Sequence, residues 1–286
     1  MELGIIGLPQ SGKTTLFNAL TRGDVPTEIS GGRVEVHTAV IDVSDPRVDA
    51  LTDLYKPKKV VHAKVTYADI AGLEVKAAQG GIAGPLLNTL AQMDGFIHVV
   101  RDFTNPSVPH IGGSIDPRRD LANMEAELIL NDMILVERKL QRLDEERKRG
   151  GIGRDKGVVE RETALFERIS SLLSDEVPLR NETFSEEEEK MLRGFQFLTL
   201  KPLLIVINIS EADLTSGADE VFEKKFEIFV HSFACGRSDC AHRTVFGFFC
   251  RTGILVPVNY QLRIAEMHVS FGIMLIGHKN QNECQN

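Results

Sequence analysis

Short β-branched runs alternate with helix-like stretches through the first 214 residues of the chain. Leu3–Leu8, Val34–Val43, Val60–Ile70, Phe96–Val100 and Leu203–Ile209 have the length of strands and end at turn-forming or polar residues. Strands separated by crossovers predict an α/β fold: a doubly wound, mostly parallel sheet with helices on both faces. Ligands of such sheets lie at the carboxyl ends of the strands.

Between Asp120 and about Leu200 the pattern changes period. Ala122, Ala126, Ile129, Met133, Val136, Leu140 and Leu143 follow a 4-3-4-3-4-3 spacing, which predicts one long helix with a narrow apolar seam. Gly150-Gly151-Ile152-Gly153 ends it. Val158, Leu165, Ile169 and Leu172 can then supply the facing stripe of an antiparallel helical hairpin. A third helix is expected from Ser185, because Ser185 and Glu188 have the spacing of a capping box. Glu186–Glu189 reads as a solvated helix start favoured by the helix dipole rather than as a metal site. The predicted organisation is a core domain over 1–119 and 200–214, an inserted helical hairpin over 120–199, and an unassigned tail over 215–286.

Composition sharpens the last boundary. The chain has 286 residues and a formal net charge of −8, and the acidic excess lies wholly before residue 215. All four cysteines and eight of the fifteen phenylalanines fall after it. The tail fits a truncated or frame-shifted end as well as it fits a novel domain. Cys235, Cys240, His242 and Cys250 could ligate zinc, but they lack a C-x₂-C pair, and free thiols are the simpler reading. The net charge disfavours non-specific duplex binding driven by phosphate neutralisation, and neither a membrane nor sequence-specific DNA is expected as a partner. No apolar stretch approaches the roughly 20 residues of a membrane span and no export signal is apparent, so the expected location is the cytoplasm.

Three motifs sit at predicted strand ends. Gly7-Leu8-Pro9-Gln10-Ser11-Gly12-Lys13-Thr14 is G-x-x-x-x-G-K-T, placed between a strand and a helix that begins near Thr15. Glycines let the backbone wrap phosphates, with the Pro9, Gln10 and Ser11 segment forming the cradle. Lys13 adds a cation, Thr14 offers a hydroxyl to Mg²⁺, and Thr15 beside it is a further candidate nucleotide contact. Asp69-Ile70-Ala71-Gly72 ends the Val60–Ile70 run; Asp69 can hold the Mg²⁺ shell, and the Gly72 amide can reach a γ-phosphate. Asn208-Ile209-Ser210-Glu211 follows the last run and corresponds to a base-reading Asn-Lys-x-Asp with Ile209 and Glu211 substituted. Glu211 is one methylene too long to replace the guanine-reading aspartate, whereas Asn208 could pair with adenine, so the balance favours ATP over GTP.

These segments, with Asp45-Pro46-Arg47-Val48-Asp49, Lys56-Pro57-Lys58-Lys59-Val60-Val61, His98-Val99-Val100-Arg101, Asp116-Pro117-Arg118-Arg119-Asp120 and Glu127-Leu128-Ile129-Leu130, occur in the order found in one family. The first 214 residues resemble the Obg-like ATPases, the YchF group of P-loop NTPases. The resemblance implies a Ras-like nucleotide-binding domain interrupted by a coiled-coil hairpin. It also implies a preference for ATP and association with the ribosome or ribosomal RNA, the hairpin being the candidate contact. The chain departs from the family at Gln10, where Asn is usual, and in its shorter switch segment, which leaves Thr27 and Thr38 as alternative Mg²⁺ contacts. The family's C-terminal TGS domain is not recognisable in 215–286.

Ras-like hydrolases orient the attacking water with a glutamine soon after the Asp69-type turn. Here Leu73 follows Gly72 and cannot do so, in keeping with the apolar residue that the family carries there. That leaves phosphate clamping by Lys13 and predicts slow hydrolysis, about 10⁻⁴–10⁻² s⁻¹. Gln79 is a weaker candidate for the same task.

Overall fold

The structure is a computed structural model that describes residues 1–26, 36–70, 82, 84–106, 110, 113–148 and 155–210 with their side chains, together with the backbone of four strands within 242–278. The chain folds as two compact units. One comprises Met1–Leu73, Met93–Asp120 and Leu203–Asn286; the other comprises Glu74–Gln92 and Leu121–Pro202.

The first unit is built on a sheet. Strands β1 (Glu2–Ile6), β2 (Val36–Asp42), β3 (Lys64–Ile70), β4 (Gly95–Asp102) and β5 (Leu203–Ser210) are ordered β2-β3-β1-β4-β5. β3, β1, β4 and β5 run parallel, and β2 joins β3 antiparallel. β4 reads Gly-Phe-Ile-His-Val-Val-Arg-Asp and is buried along almost its whole length, as a central parallel strand covered on both faces must be. Helix α1 (Lys13–Thr21) lays Leu16 and Phe17 over Ile5, Ile97, Val99 and Val206 to make the core of one face. Helix α2 (Pro46–Tyr55) starts at Asp45, whose side chain accepts from the Arg47 amide.

Two expectations shift. The Val60–Ile70 run pairs only from Lys64 onward, leaving Val60 and Val61 exposed ahead of the strand. The tail, unassigned from sequence, carries β6 (His242–Val245), β7 (Phe248–Cys250), β8 (Gly253–Ile264) and β9 (Met267–His278). β9 lies parallel to β5, and β8 is antiparallel to β9, β7 and β6. Pro257 falls between the stretches of β8 that pair with β7 and with β6, so on that side its missing N–H interrupts neither ladder.

The second unit is helical: α3 (Gly84–Gln92), the 32-residue α4 (Pro117–Lys148, from Leu121 on), α5 (Lys156–Ser174) and α6 (Glu186–Leu192). Ile129 and Val136 of α4 pack with Leu165, Phe166, Ile169 and Leu173 of α5, with Leu192, and with Phe197 from the connection beyond it. Met133, Leu140 and Leu172 border this core. The seam differs from expectation at its start: Ala122 and Ala126 are exposed, while Leu121, Met124 and Leu128 are buried. Larger side chains gain more from burial than alanine, and they rotate the buried stripe by a fraction of a turn. On α5, Val159, Phe166 and Leu173 are buried, while Val158 and Leu172 lie at the margin. The capping box at Ser185 and Glu188 is present in both directions. Polar groups brace this core. Asp132, fully buried, accepts from the Leu198 and Thr199 amides and the Thr199 hydroxyl at 2.9, 2.7 and 2.6 Å. Arg180 pairs with Glu125 at 2.6 Å, both side chains buried.

Candidate functional site

Because β3, β1, β4 and β5 run parallel, their carboxyl ends lie along one edge, and the loop leaving β1 crosses that edge into α1. The loop needs backbone that side chains resist. Gly7 has φ 148° and Gly12 φ 98°. A methyl on Gly7 would strike the Val99 carbonyl, and one on Gly12 would strike the Asn208 amide nitrogen. Gln10 also takes a left-handed φ of 63°, a conformation that Asn tolerates better than Gln. The Ser11 amide closes the turn on the Leu8 carbonyl at 3.2 Å, and Gly12 O receives the first helical bond, from Leu16.

Lys13 is 8% exposed and folds back over the loop, donating to the carbonyls of Gly7 and Leu8 at 3.0 and 2.8 Å. Burial lowers its pKa to about 8, against the opposing attraction of Asp69. Thr14 lies beside Asp69: its hydroxyl donates to Asp69 Oδ2 at 2.7 Å across 55 residues of sequence. The register explains the meeting, since Ile5 at the end of β1 pairs with Asp69 at the end of β3. Asp69 is 1% exposed, and its Oδ1 has no hydrogen-bond partner. Gln10 Oε1, Ser11 Oγ and Asn208 Oδ1 are likewise buried without partners. Four unpaired buried oxygens on one loop and its two neighbouring strand ends are costly unless a ligand or ordered water completes them.

The structure brings Gly7, Pro9, Gln10, Ser11, Gly12, Lys13, Thr14, Asp69 and Asn208 together. Asn208, at the end of β5, donates from Nδ2 to the Ser11 carbonyl at 3.0 Å, so its amide is engaged by the phosphate-binding loop. Sequence reasoning considered Asn208 only as a base reader and missed this link, which needs the β5–β4–β1 order to be known. Thr15 is exposed on α1, and Ser210 is half-buried at the last position of β5. Gly72, Leu73, Gln79, Thr27, Glu211, Cys235 and Cys240 lie outside the described residues, as do the side chains of His242 and Cys250. Thr38 pairs with Ala68, whereas Asp69 pairs with His37, so the strand alternation turns Thr38 toward the face opposite Asp69.

Two further features carry no obvious signal in sequence. Asn18 clamps Val25 from both sides, donating to its carbonyl at 2.8 Å and accepting from its amide at 3.0 Å. His110 meets Asp120 at 2.9 Å with both side chains buried, and Arg119 donates to the same carboxylate.

The donor set suits Mg²⁺. Thr14 and Asp69 give one hydroxyl and one carboxylate in mutual contact, and Mg²⁺ in phosphate sites takes few protein ligands and fills the rest with water and phosphate oxygens. Elsewhere among the described residues, no group of three or more His, Cys, Asp or Glu side chains is placed to hold a metal ion.

Comparison with known proteins agrees with this geometry. Residues 2–139 match the family model described as 50S ribosome-binding GTPase. The chain is 34% identical over 247 residues to the ribosome-binding ATPase YchF of Pasteurella multocida, covering 84% of this chain and 67% of that protein. The chain belongs to the YchF group of Obg-like ATPases. The YchF of Bacillus subtilis is 35% identical, with coverages of 77% and 60%, and the Obg-like ATPase 1 of Oryza sativa subsp. indica 36%, with 74% and 54%. The solved Schizosaccharomyces pombe YchF GTPase superposes with a TM-score of 0.66 at 30% identity, covering 83% of this chain and 64% of that one. The chain thus spans between about half and two thirds of the length of these family members. Their names divide between ATPase and GTPase. Among the described residues, no helix is long and apolar enough to cross a membrane.

Proposed function

We propose that the chain is a Mg²⁺-dependent nucleotide switch that binds ATP in preference to GTP, hydrolyses it slowly to ADP and phosphate, and associates with the ribosome. The observation that carries this reading is the phosphate cradle: Gly7 and Gly12 at left-handed φ, Lys13 held over the loop by two carbonyls, and Thr14 in contact with Asp69. In this reading Lys13 exchanges its carbonyl partners for β- and γ-phosphate oxygens, while loop amides and the α1 N-terminus supply further donors. Thr14 and Asp69 hold Mg²⁺, which neutralises phosphate charge when bound. The Gly72 amide would contact the γ-phosphate. Asn208, Ser210 and Glu211 would line the base pocket, with Asn208 also bracing the loop through Ser11. A slow rate is expected because Leu73 has no group to orient water. The relatives named as ATPases support the base preference, and the ribosome-binding names of the two YchF proteins and of the family model support the partner.

Titration with fluorescent ATP and GTP analogues, with and without Mg²⁺, tests the reading. ATP should bind at least tenfold more tightly than GTP, with Mg²⁺ required for full affinity. Lys13→Ala should abolish tight binding; unchanged affinity in that variant would overturn the cradle itself.

A further inference from the structure

Among the described residues, eight of the ten exposed large apolar side chains fall between Val36 and Val61. Helix α2 lies at the centre of that stretch and buries none of its residues. Leu51, Leu54 and Tyr55, at i, i+3 and i+4, form the stripe an amphipathic helix normally turns to a core, yet they are 55%, 71% and 74% exposed. At 100° per residue, Asp49 and Asp53 project from the opposite side of the helix. Beyond the helix, Lys56, Lys58 and Lys59 are exposed, and Val61 is 66% exposed. No acidic residue occurs from Leu54 to Ala63. The nearby acids Asp42 and Asp45 are paired with Lys64 and Arg47 at 3.2 and 2.7 Å. On a chain of net charge −8, this is a local run of unpaired positive charge directly following an exposed aromatic ring in sequence.

We infer that Leu51–Val61 is a docking surface for unpaired RNA of the kind a ribosomal RNA loop presents. Tyr55 offers a face on which a base can stack, exposed Leu54 and Val61 add apolar surface on the same segment, and the three lysines can reach the flanking phosphates. Charge complementarity selects RNA over an acid-neutral protein surface, and the exposed ring beside the lysines selects an unstacked strand over a duplex. The inference rests on the ribosome-associated reading for the source of the RNA, but it involves none of the residues of the cradle.

The test is fluorescence anisotropy of the full chain with a labelled, unstructured RNA of about 12 nucleotides, within the footprint of one stacking module. A matched duplex and polyglutamate serve as competitors. The single strand should bind more tightly than either. Tyr55→Ser should weaken binding about tenfold, in line with the loss of one stacked base. Lys58→Gln with Lys59→Gln should lower the salt dependence of log affinity by about 1.4. All three side chains are exposed, so unchanged circular dichroism is expected and is measured alongside. RNA affinity that is indifferent to both variants overturns the proposal, as does polyglutamate binding as tightly as RNA. Nucleotide affinity is titrated on the same samples: its absence would remove the switch reading and leave the RNA result standing.

Discussion

Gly12→Ala tests how the phosphate loop is held. The alanine would have to adopt φ 98°, ψ 21°, a strain of about 1–2 kcal/mol for a residue with a Cβ. Its methyl would also occupy the position of Asn208 Nδ2. Displacing that amide breaks a buried bond of 3.0 Å to the Ser11 carbonyl and strands both partners, costing about 1–3 kcal/mol. The expected total is about 2–5 kcal/mol, and it should be partly relieved when Asn208 is shortened. In an Asn208→Ala background only backbone strain remains, so the two substitutions should couple by about 1 kcal/mol or more. Native-state hydrogen exchange of the β1 and β4 amides reads this unit separately from the helical one. Effects that add to within about 0.5 kcal/mol would refute the steric argument and leave strain as the whole cost. Gly7→Ala is the contrasting case: its obstacle is the Val99 carbonyl, a backbone atom, so no side-chain truncation should rescue it.

Other outcomes follow from the same structure. Burial lowers the Lys13 pKa to about 8, and a triphosphate favours its charged form; nucleotide affinity should therefore be constant below pH 8 and fall by up to about tenfold per pH unit above it. Lys13→Arg, permanently charged, should flatten that profile, and a flat wild-type profile from pH 7 to 9.5 would contradict the depressed pKa. Burial raises Asp132 to about 6, above its ordinary value of 3.8, so its contribution to stability should be greatest below pH 4 and be lost as pH rises through 6. Denaturation at pH 4 and 7 should show Asp132→Asn lacking that trend, a differential of up to about 3 kcal/mol. In the helical unit, Phe166→Ala should cost about 3–5 kcal/mol whereas Ala126→Lys should change stability by less than about 0.5 kcal/mol. A large loss at Ala126, measured by urea unfolding, would restore the seam that the 4-3 spacing suggests.

Local signals proved readable where the physics is local. The capping box at Ser185 involves groups three residues apart, and the Gly7–Thr14 motif encodes its own turn, because only glycine readily meets φ 98° at Gly12. Periodicity found the α4–α5 hairpin but misjudged its rotation at Ala122 and Ala126. Spacing alone does not weigh a small side chain against Leu121 or Met124, and burial does. The start of β3 was placed early for a similar reason: Val60 and Val61 have strand propensity, but hydrogen-bond pairing begins only at Lys64.

The amino-acid order by itself determined the kinds of element in the first 214 residues, the glycine-dependent loop and its lysine, and the family to which the chain belongs. Those properties depend on neighbours in sequence. What tertiary structure decided is which distant groups meet: Thr14 reaches Asp69 and Asn208 reaches Ser11 because parallel pairing aligns the ends of β3, β1, β4 and β5. The structure also shows that α2 keeps its apolar stripe exposed. A hydrogen bond between residues 197 apart in sequence is fixed by sheet order and register, which the pattern of apolar positions constrains only loosely.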